Sequence, residues 1–339
     1  MLPGNVQFHA NACAGLERHV TTRLVGQELA VRQATDAICD HLQNENPLRP
    51  LVLSAHGPPG VGKSLFHYLA AQALYAPDPN KPHLKCPGYD CAGYKVLYGM
   101  DYIASEREEQ QGLLRSSLLE HVRRAPEALI VVEEYDKLDC PMRGFFRQIL
   151  ENGAIGNVTL NRAIVILESN LGYLELHELL KRHGRDAISA EQAQRVLKDL
   201  IFERWTRQAC EDRTDTLKMV GLIDIFLPFF PLEAAHLREL FVRRLAERGE
   251  ALEAAGLGRL SWEPAVIDHL LALVEFDGAY PIEGAKEVGI LLSKTVSRPV
   301  RVWAEAARQF QKKGGGGTLP ECRLTVVRPK GLPPYLTCA

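Results

Sequence analysis

The stretch Gly57-Pro58-Pro59-Gly60-Val61-Gly62-Lys63-Ser64 constrains this chain more than any other. It has the form G-x-x-x-x-G-K-[ST] of a phosphate-binding loop. The apolar run Leu51–Ala55 before it reads as a short strand, and Leu65–Leu74 after it reads as a helix with an apolar face. Glycines 57, 60 and 62 let backbone N–H groups turn inward around a polyphosphate without Cβ clashes. The helix that starts there adds its unpaired N–H groups and the positive end of its dipole. Lys63 brings a point charge for the β- and γ-phosphates, and the Ser64 hydroxyl suits Mg²⁺. A Gly/Pro turn before an ordinary helix would not need Lys-Ser at this place. The expectation is therefore a nucleotide site made by Gly57, Pro58, Pro59, Gly60, Val61, Gly62, Lys63 and Ser64, with ATP and Mg²⁺ as cofactors.

A strand–loop–helix of this kind belongs in a parallel sheet, and the chain supplies the other strands. Lys95–Tyr98, Leu129–Val132 and Arg162–Leu167 are apolar runs separated by helical patterns, and Ile225–Pro231 is apolar, Pro-punctuated and suited to a sheet edge. Helical periodicity covers Gly15–Leu42 with an interruption at Leu24–Gln27, then Gln111–Ala125, Met142–Leu150 and Leu174–Arg207 with a break at His183-Gly184. Beyond about residue 231 the patterns are helical only: Glu233–Arg248, Glu263–Leu273 and Glu283–Gln311. The fold expected is α/β: a P-loop NTPase with a parallel sheet flanked by helices, followed by a small α-helical lid. Domains are expected at 1–232 (nucleotide-binding), 233–311 (lid) and 312–339 (Gly-rich linker and tail). Residues 1–12 read as a frayed leader, Gly314–Gly317 as a flexible break, and Cys322–Val327 as a possible last strand.

Hydrolysis needs a metal carboxylate and a group that orients water. Leu129-Ile130-Val131-Val132-Glu133-Glu134 delivers two acids at the C-terminal edge of a strand, where parallel α/β sheets place ligands. Glu133 is expected on Mg²⁺ and Glu134 on the attacking water. Asn170, which ends the next strand, is either a turn residue or a group reaching between the γ-phosphate and that water. Lys286, at a helix start in Gly284-Ala285-Lys286, is either a solvated lysine or a second positive charge for the γ-phosphate.

Composition adds exclusions. A net charge of -2 over 339 residues gives no reason to expect nucleic acid or an anionic membrane surface as a partner. No apolar run approaches the ~20 residues that span a bilayer. The first twenty residues carry no secretory pattern. Eight cysteines in 339 residues are not expected to be a disulfide scaffold. Cys86 and Cys91 read as loop thiols or a local disulfide rather than a zinc site, and Cys322 and Cys338 are candidates to pair. Asn157-Val158-Thr159 is a glycosylation sequon, which matters only in a secretory compartment.

Gly57–Ser64, Glu133-Glu134, Asn170 and Gly284-Ala285-Lys286 occur in the order of Walker A, Walker B, sensor 1 and sensor 2 in AAA+ ATPases. In detail the chain resembles the Clp branch and, within it, the torsins. Glu133-Glu134-Tyr135-Asp136-Lys137-Leu138 is similar to the torsin D-E-M-D-K-M. Ile164–Gly172 resembles the strand ending in L-S-N-A-G, and Gly221–Glu233 closely resembles L-I-D-x-F-V-P-F-L-P-L-E. Leu24-Val25-Gly26-Gln27 resembles the segment that lies near the adenine, which implies Val25 as a cofactor-binding residue. The resemblance covers roughly residues 13–311; the last 28 residues share none of it.

The departures shape what the resemblance implies. Glu133 replaces the usual Asp of Walker B. Leu222 stands where Clp unfoldases carry an arginine finger, and torsins share that loss, borrowing the arginine from an activator with a related fold. No aromatic-Gly pore loop follows Tyr98; Tyr102 reads as packing at the strand end rather than as a remnant of one. Gly284-Ala285-Lys286 lacks the Cys of the torsin motif, which argues against redox sensing there. The resemblance thus implies an ATPase that is slow alone, an arginine-donating activator, protein substrates and a homo-oligomer. The alternatives are an autonomous Clp-type unfoldase and an ATP-gated binding module with negligible hydrolysis. It also implies the endoplasmic reticulum lumen or nuclear envelope; the missing signal pattern leaves a cytoplasmic alternative.

Overall fold

The computed structural model describes residues 6–81, 84–102, 107–312 and 320–338. The chain divides into two compact units, Met1–Phe230 and Pro231–Ala339.

The first unit is built on a five-stranded sheet: β1 (Leu51–His56), β2 (Tyr94–Tyr98), β3 (Leu129–Glu133), β4 (Ile164–Ser169) and β5 (Ile225–Pro228). Its spatial order is β5-β1-β4-β3-β2, and every neighbouring pair is parallel. Strands β1 and β4 are buried along their whole length, as continuous apolar runs covered on both faces should be. The Pro-punctuated β5 takes the edge, where a missing N–H costs no ladder bond.

The helices of this unit are α1 (Ala12–Thr21), α2 (Glu28–Gln43), α3 (Lys63–Tyr75), α4 (Arg107–Arg124), α5 (Cys140–Asn152), α6 (Tyr173–His183), α7 (Ala190–Gln208) and α8 (Arg213–Gly221). Breaks expected at Leu24–Gln27 and at His183-Gly184 fall between α1 and α2 and between α6 and α7. Gly184 has φ 73° and ψ 154°, a backbone region open essentially only to glycine. Helix α7 starts on a capping box in which Ser189 and Gln192 satisfy each other's backbone N–H. Asp224 fastens the entry to β5: it accepts from Val52 N at 2.8 Å and pairs with Arg49 at 2.5 Å, while Arg49 Nη1 donates to the Leu222 carbonyl at 3.1 Å.

Residues 6–9 are not frayed. Val6 N donates to Arg124 O (3.0 Å), Phe8 N to Glu127 Oε2 (2.6 Å) and His9 N to Leu74 O (2.6 Å), with Phe8 against Tyr75. Ala12, also in the expected leader, already belongs to α1, and residues 1–5 lie outside the described residues.

The second unit holds α9 (Ala234–Ala254), α10 (Pro264–Ala272), α11 (Lys286–Thr295) and α12 (Ser297–Lys312). The single helical pattern expected over 283–311 is two helices. Helices are not the whole of this unit. A three-stranded sheet joins β6 (Arg259–Trp262), β7 (Glu321–Val327) and β8 (Tyr335–Cys338), with β7 central, parallel to β6 and antiparallel to β8. The four-residue Arg-Leu-Ser-Trp strand is too short for a period-2 signal, and its partner lies some sixty residues on. Residues expected as a tail thus contribute two strands, with Cys322 and Leu324 fully enclosed. The Gly-rich break at 314–317 lies outside the described residues.

All eight cysteines are paired: Cys13–Cys39, Cys86–Cys91, Cys140–Cys210 and Cys322–Cys338, and none is free. Two of these pairs match the expected candidates. The other two correct the expectation that the eight cysteines form no disulfide framework: Cys13–Cys39 links α1 to α2, and Cys140–Cys210 links the start of α5 to the turn between α7 and α8. Among the described residues, no helix is long and apolar enough to cross a membrane.

Candidate functional site

The phosphate loop runs from the C-terminal end of β1 into α3. Gly62 is the residue before the helix and has φ 103°, and a Cβ built there would lie 2.3 Å from Leu24 Cδ1. Gly57 has φ 151°, and its Cβ would sit 2.0 Å from the Phe229 carbonyl oxygen. Glycine is therefore required at both places by backbone conformation and by close approach.

Lys63 is 4% exposed. Its Nζ donates to Gly57 O, Pro58 O and Asn170 Oδ1, each at 2.9 Å. Asn170, exposed at the end of β4, is thereby joined directly to the loop lysine; the parallel register that sets His56 beside Ser169 puts it there. Glu134 follows β3 in the left-handed conformation, φ 54°, unusual for a residue with a side chain. Its carbonyl is crowded by Gly99, whose added Cβ would lie 2.3 Å from that oxygen.

A second layer was not expected from the sequence. Ser64 Oγ donates to the Glu168 carboxylate (3.2 and 3.1 Å to its two oxygens). His67, one turn into α3 and buried, places Nε2 3.1 Å from Glu133 Oε1 and 3.3 Å from Glu168 Oε2, and its Nδ1 2.7 Å from the Tyr94 hydroxyl. Burial pulls the His67 pKa down, but hydrogen bonds and charges of Glu133 and Glu168 outweigh it and raise the value. The hydrogen bond from His67 is the main reason that the Glu133 carboxyl is held below its ordinary range, against burial, with the Ser64 hydroxyl and the Lys63 charge adding to it. Burial, then the Glu133 charge, push the Tyr94 phenol above its ordinary range. The Ser64 hydroxyl and the two carboxylates are hard oxygen donors at one sheet edge, a set that fits Mg²⁺.

The segment holding Val25 is fastened to the same corner. Val25 is buried, and Gln27, 2% exposed, bridges the loop to the end of the sheet. Its Nε2 donates to Val61 O (3.2 Å) and Phe230 O (2.8 Å), and its Oε1 accepts from Phe230 N (2.9 Å). Arg185 Nη1 donates to Gly26 O at 2.9 Å, with its guanidinium 5.7 Å from the Phe230 ring centre. Lys286 is the first residue of α11, in the second unit. Of the expected site residues in the first unit, Gly57–Ser64, Glu133, Glu134 and Asn170 share the C-terminal sheet edge. His67, Glu168 and Gln27 are the additions. Glu168 had a signal: Ile164-Val165-Ile166-Leu167-Glu168 repeats the pattern of Leu129-Ile130-Val131-Val132-Glu133, four apolar residues then an acid.

A parallel sheet in the order 5-1-4-3-2, with a phosphate loop after β1, paired acids after β3 and Asn after β4, defines an AAA+ P-loop NTPase. The torsin family profile matches residues 5–86. The chain is similar to a torsin-like protein of Caenorhabditis elegans, 27% identical over 297 residues that cover 84% of this chain and 76% of that protein. It is similar to Torsin-3A of Rattus norvegicus, at 28% over 69% of this chain and 58% of that protein. Chaperone protein ClpB of Chlamydia pneumoniae is 26% identical over 83% of this chain, which spans 32% of ClpB. Within the AAA+ class the chain is a torsin relative with a further relation to the Clp chaperones.

Proposed function

We propose that this chain is a torsin-like AAA+ ATPase that remodels protein partners, and that it turns over slowly until an activator donates an arginine. The observation that carries the reading is the direct junction of Lys63 with Asn170 at the edge where Glu133 and Glu134 also end. Lys63 and the loop N–H groups bind and orient the phosphates. Ser64 and Glu133 hold Mg²⁺, which when bound offsets charge on the β- and γ-phosphate oxygens. Glu134 takes a proton from the attacking water, and Asn170 fixes that water against the γ-phosphate. Val25 and Gln27 support the base side of the site, and Lys286 of the lid adds positive charge when nucleotide is bound.

Leu222 supports the need for a partner. Its segment is occupied structurally, with its carbonyl bonded by Arg49, and an arginine finger is worth about 10³–10⁵ in rate where one operates. Four disulfides with no free thiol support an oxidising compartment, the endoplasmic reticulum lumen or nuclear envelope rather than the cytoplasm. Homo-oligomers and protein substrates follow from the relatives; two of the three cited extend well beyond the part matched here. Two other readings compete, an autonomous Clp-type unfoldase and an ATP-gated binder.

Steady-state turnover of the pure chain beside Glu134→Gln tests the proposal. The expected result is tight Mg-ATP binding by both and a low wild-type rate that the substitution removes. Fast turnover by the chain alone would refute the requirement for an activator, and a residual rate equal in both proteins would favour the ATP-gated binder.

A further inference from the structure

His67, Glu133 and Glu168 do more than flank a nucleotide. The ligand atoms of the three residues lie within 4.8 Å of one another, and the two edges that meet at His67 Nε2 measure 3.1 and 3.3 Å. In a tetrahedral zinc site with bonds of about 2.0–2.2 Å, neighbouring ligand atoms are about 3.3–3.6 Å apart. The two edges at His67 Nε2 stand close to that spacing, and the carboxylate oxygens lie within 4.8 Å of each other. We infer that His67 Nε2 and the carboxylates of Glu133 and Glu168 form a zinc site in the nucleotide-free chain, with its fourth position open.

The surroundings have the features of a built site. His67 is 3% exposed and held by its other nitrogen: Nδ1 meets the Tyr94 hydroxyl at 2.7 Å. The Tyr94 hydroxyl on Nδ1 sets the ring's orientation, and zinc would take the place of the Nε2 proton that now bonds Glu133. Glu168 is oriented in turn by the Ser64 hydroxyl. The donor set discriminates. Imidazole nitrogen suits zinc and related transition metals, whereas Mg²⁺ takes oxygen ligands in an octahedral shell and gives up its waters reluctantly. No thiolate competes elsewhere among the described residues, because every cysteine is in a disulfide. Zinc at this position engages Glu133, so on the reading of Glu133 as the nucleotide's metal ligand the zinc-loaded chain would be a resting form. The site itself does not depend on that reading.

The test is a zinc titration of the full nucleotide-free chain, disulfides intact, against a chelating dye, for wild type, His67→Gln and Glu168→Gln. The expected result is one zinc per chain, unmoved by millimolar Mg²⁺. Each substitution should weaken binding by at least the roughly 10–100-fold that the loss of an outer-shell partner alone causes. Zinc-edge X-ray absorption should show nitrogen and oxygen neighbours without sulfur. Absence of stoichiometric zinc in wild type, or an affinity preserved within about threefold in either folded variant, overturns the inference. Circular dichroism decides which variants are folded, and Glu168→Gln, nearly isosteric, carries the test if His67→Gln is not. No nucleotide is present, so failure here leaves the ATPase test untouched, and the converse holds.

Discussion

Removing Cys140–Cys210 by a double Cys→Ser substitution is the sharpest structural perturbation available. The bond closes a loop with a sequence separation of 70 residues, joining the start of α5, just past the Glu133-Glu134 edge, to the turn before α8. If a disulfide acts by restricting the unfolded chain, that loop corresponds to about 4.4 kcal/mol at 25 °C. The same relation gives about 3.5 kcal/mol for Cys13–Cys39, about 3.1 for Cys322–Cys338 and about 2.1 for Cys86–Cys91, whose separations are 26, 16 and 5 residues. Net stabilities of whole domains are about 5–15 kcal/mol, so the longest loop alone corresponds to about 30% or more of that. Arg147 bridges the same junction, 3.2 Å from Glu211 and 3.3 Å from Asp215, but partly exposed ion pairs contribute at most about 1 kcal/mol. They do not replace the covalent link. Urea unfolding of the four double-serine variants, followed separately for the two units, should rank them in this order. A rise in denaturant slope for Cys140→Ser/Cys210→Ser would report the more expanded unfolded chain. The reasoning is refuted if removing Cys86–Cys91 costs as much as removing Cys140–Cys210, or if thiol titration of the unreduced, unfolded chain finds free cysteines.

Three further outcomes follow from single side chains. His56 is wholly enclosed, bonded to Ser54, and lowered to a pKa of about 3, first by burial and then by the Lys63 charge. The unfolded chain therefore binds a proton near pH 6.5 that the native chain refuses. Stability should fall as pH drops from 6.5 toward 3, with a slope approaching about 1.4 kcal/mol per pH unit. His56→Gln should flatten that limb in pH-dependent unfolding. Gly99→Ala pushes on the Glu134 carbonyl and should lower ATP turnover by about 10²-fold, the usual consequence of misplacing a reacting group by an ångström, with nucleotide affinity little changed. Gln27→Leu strands three buried backbone groups and should cost about 2–4 kcal/mol in denaturation, with weaker nucleotide binding because Val61 belongs to the loop.

The first unit was legible in the sequence because its signals are local. A buried parallel strand is a continuous apolar run, a phosphate loop is eight consecutive residues, and a helix break is a glycine with positive φ. Each could be found without knowing what lies across the sheet. The disulfides could not: eight cysteines allow 105 pairings, and only tertiary packing brings Cys13 to Cys39 or Cys140 to Cys210. The sheet of the second unit was missed for the same reason, since Arg259–Trp262 becomes a strand only through pairing with Glu321–Leu324.

His67 shows where locality ends. On its own it is a histidine on the apolar side of a helix, and nothing in Leu65–Leu74 marks it. Its meaning depends on register. Val132 stands opposite Leu167, so the acid that follows each of those residues arrives at the same level of the sheet. Alternation along parallel strands then turns both side chains to one face, and α3, fixed by the phosphate loop at the end of β1, lays His67 across that face. The twin runs Leu129–Glu133 and Ile164–Glu168 carried half of this information. The other half was the strand order, which sets β4 between β1 and β3 and so brings the loop's helix, both acids and Asn170 to one corner. Strand order is the link between a local motif and a site with more chemistry than the motif contains.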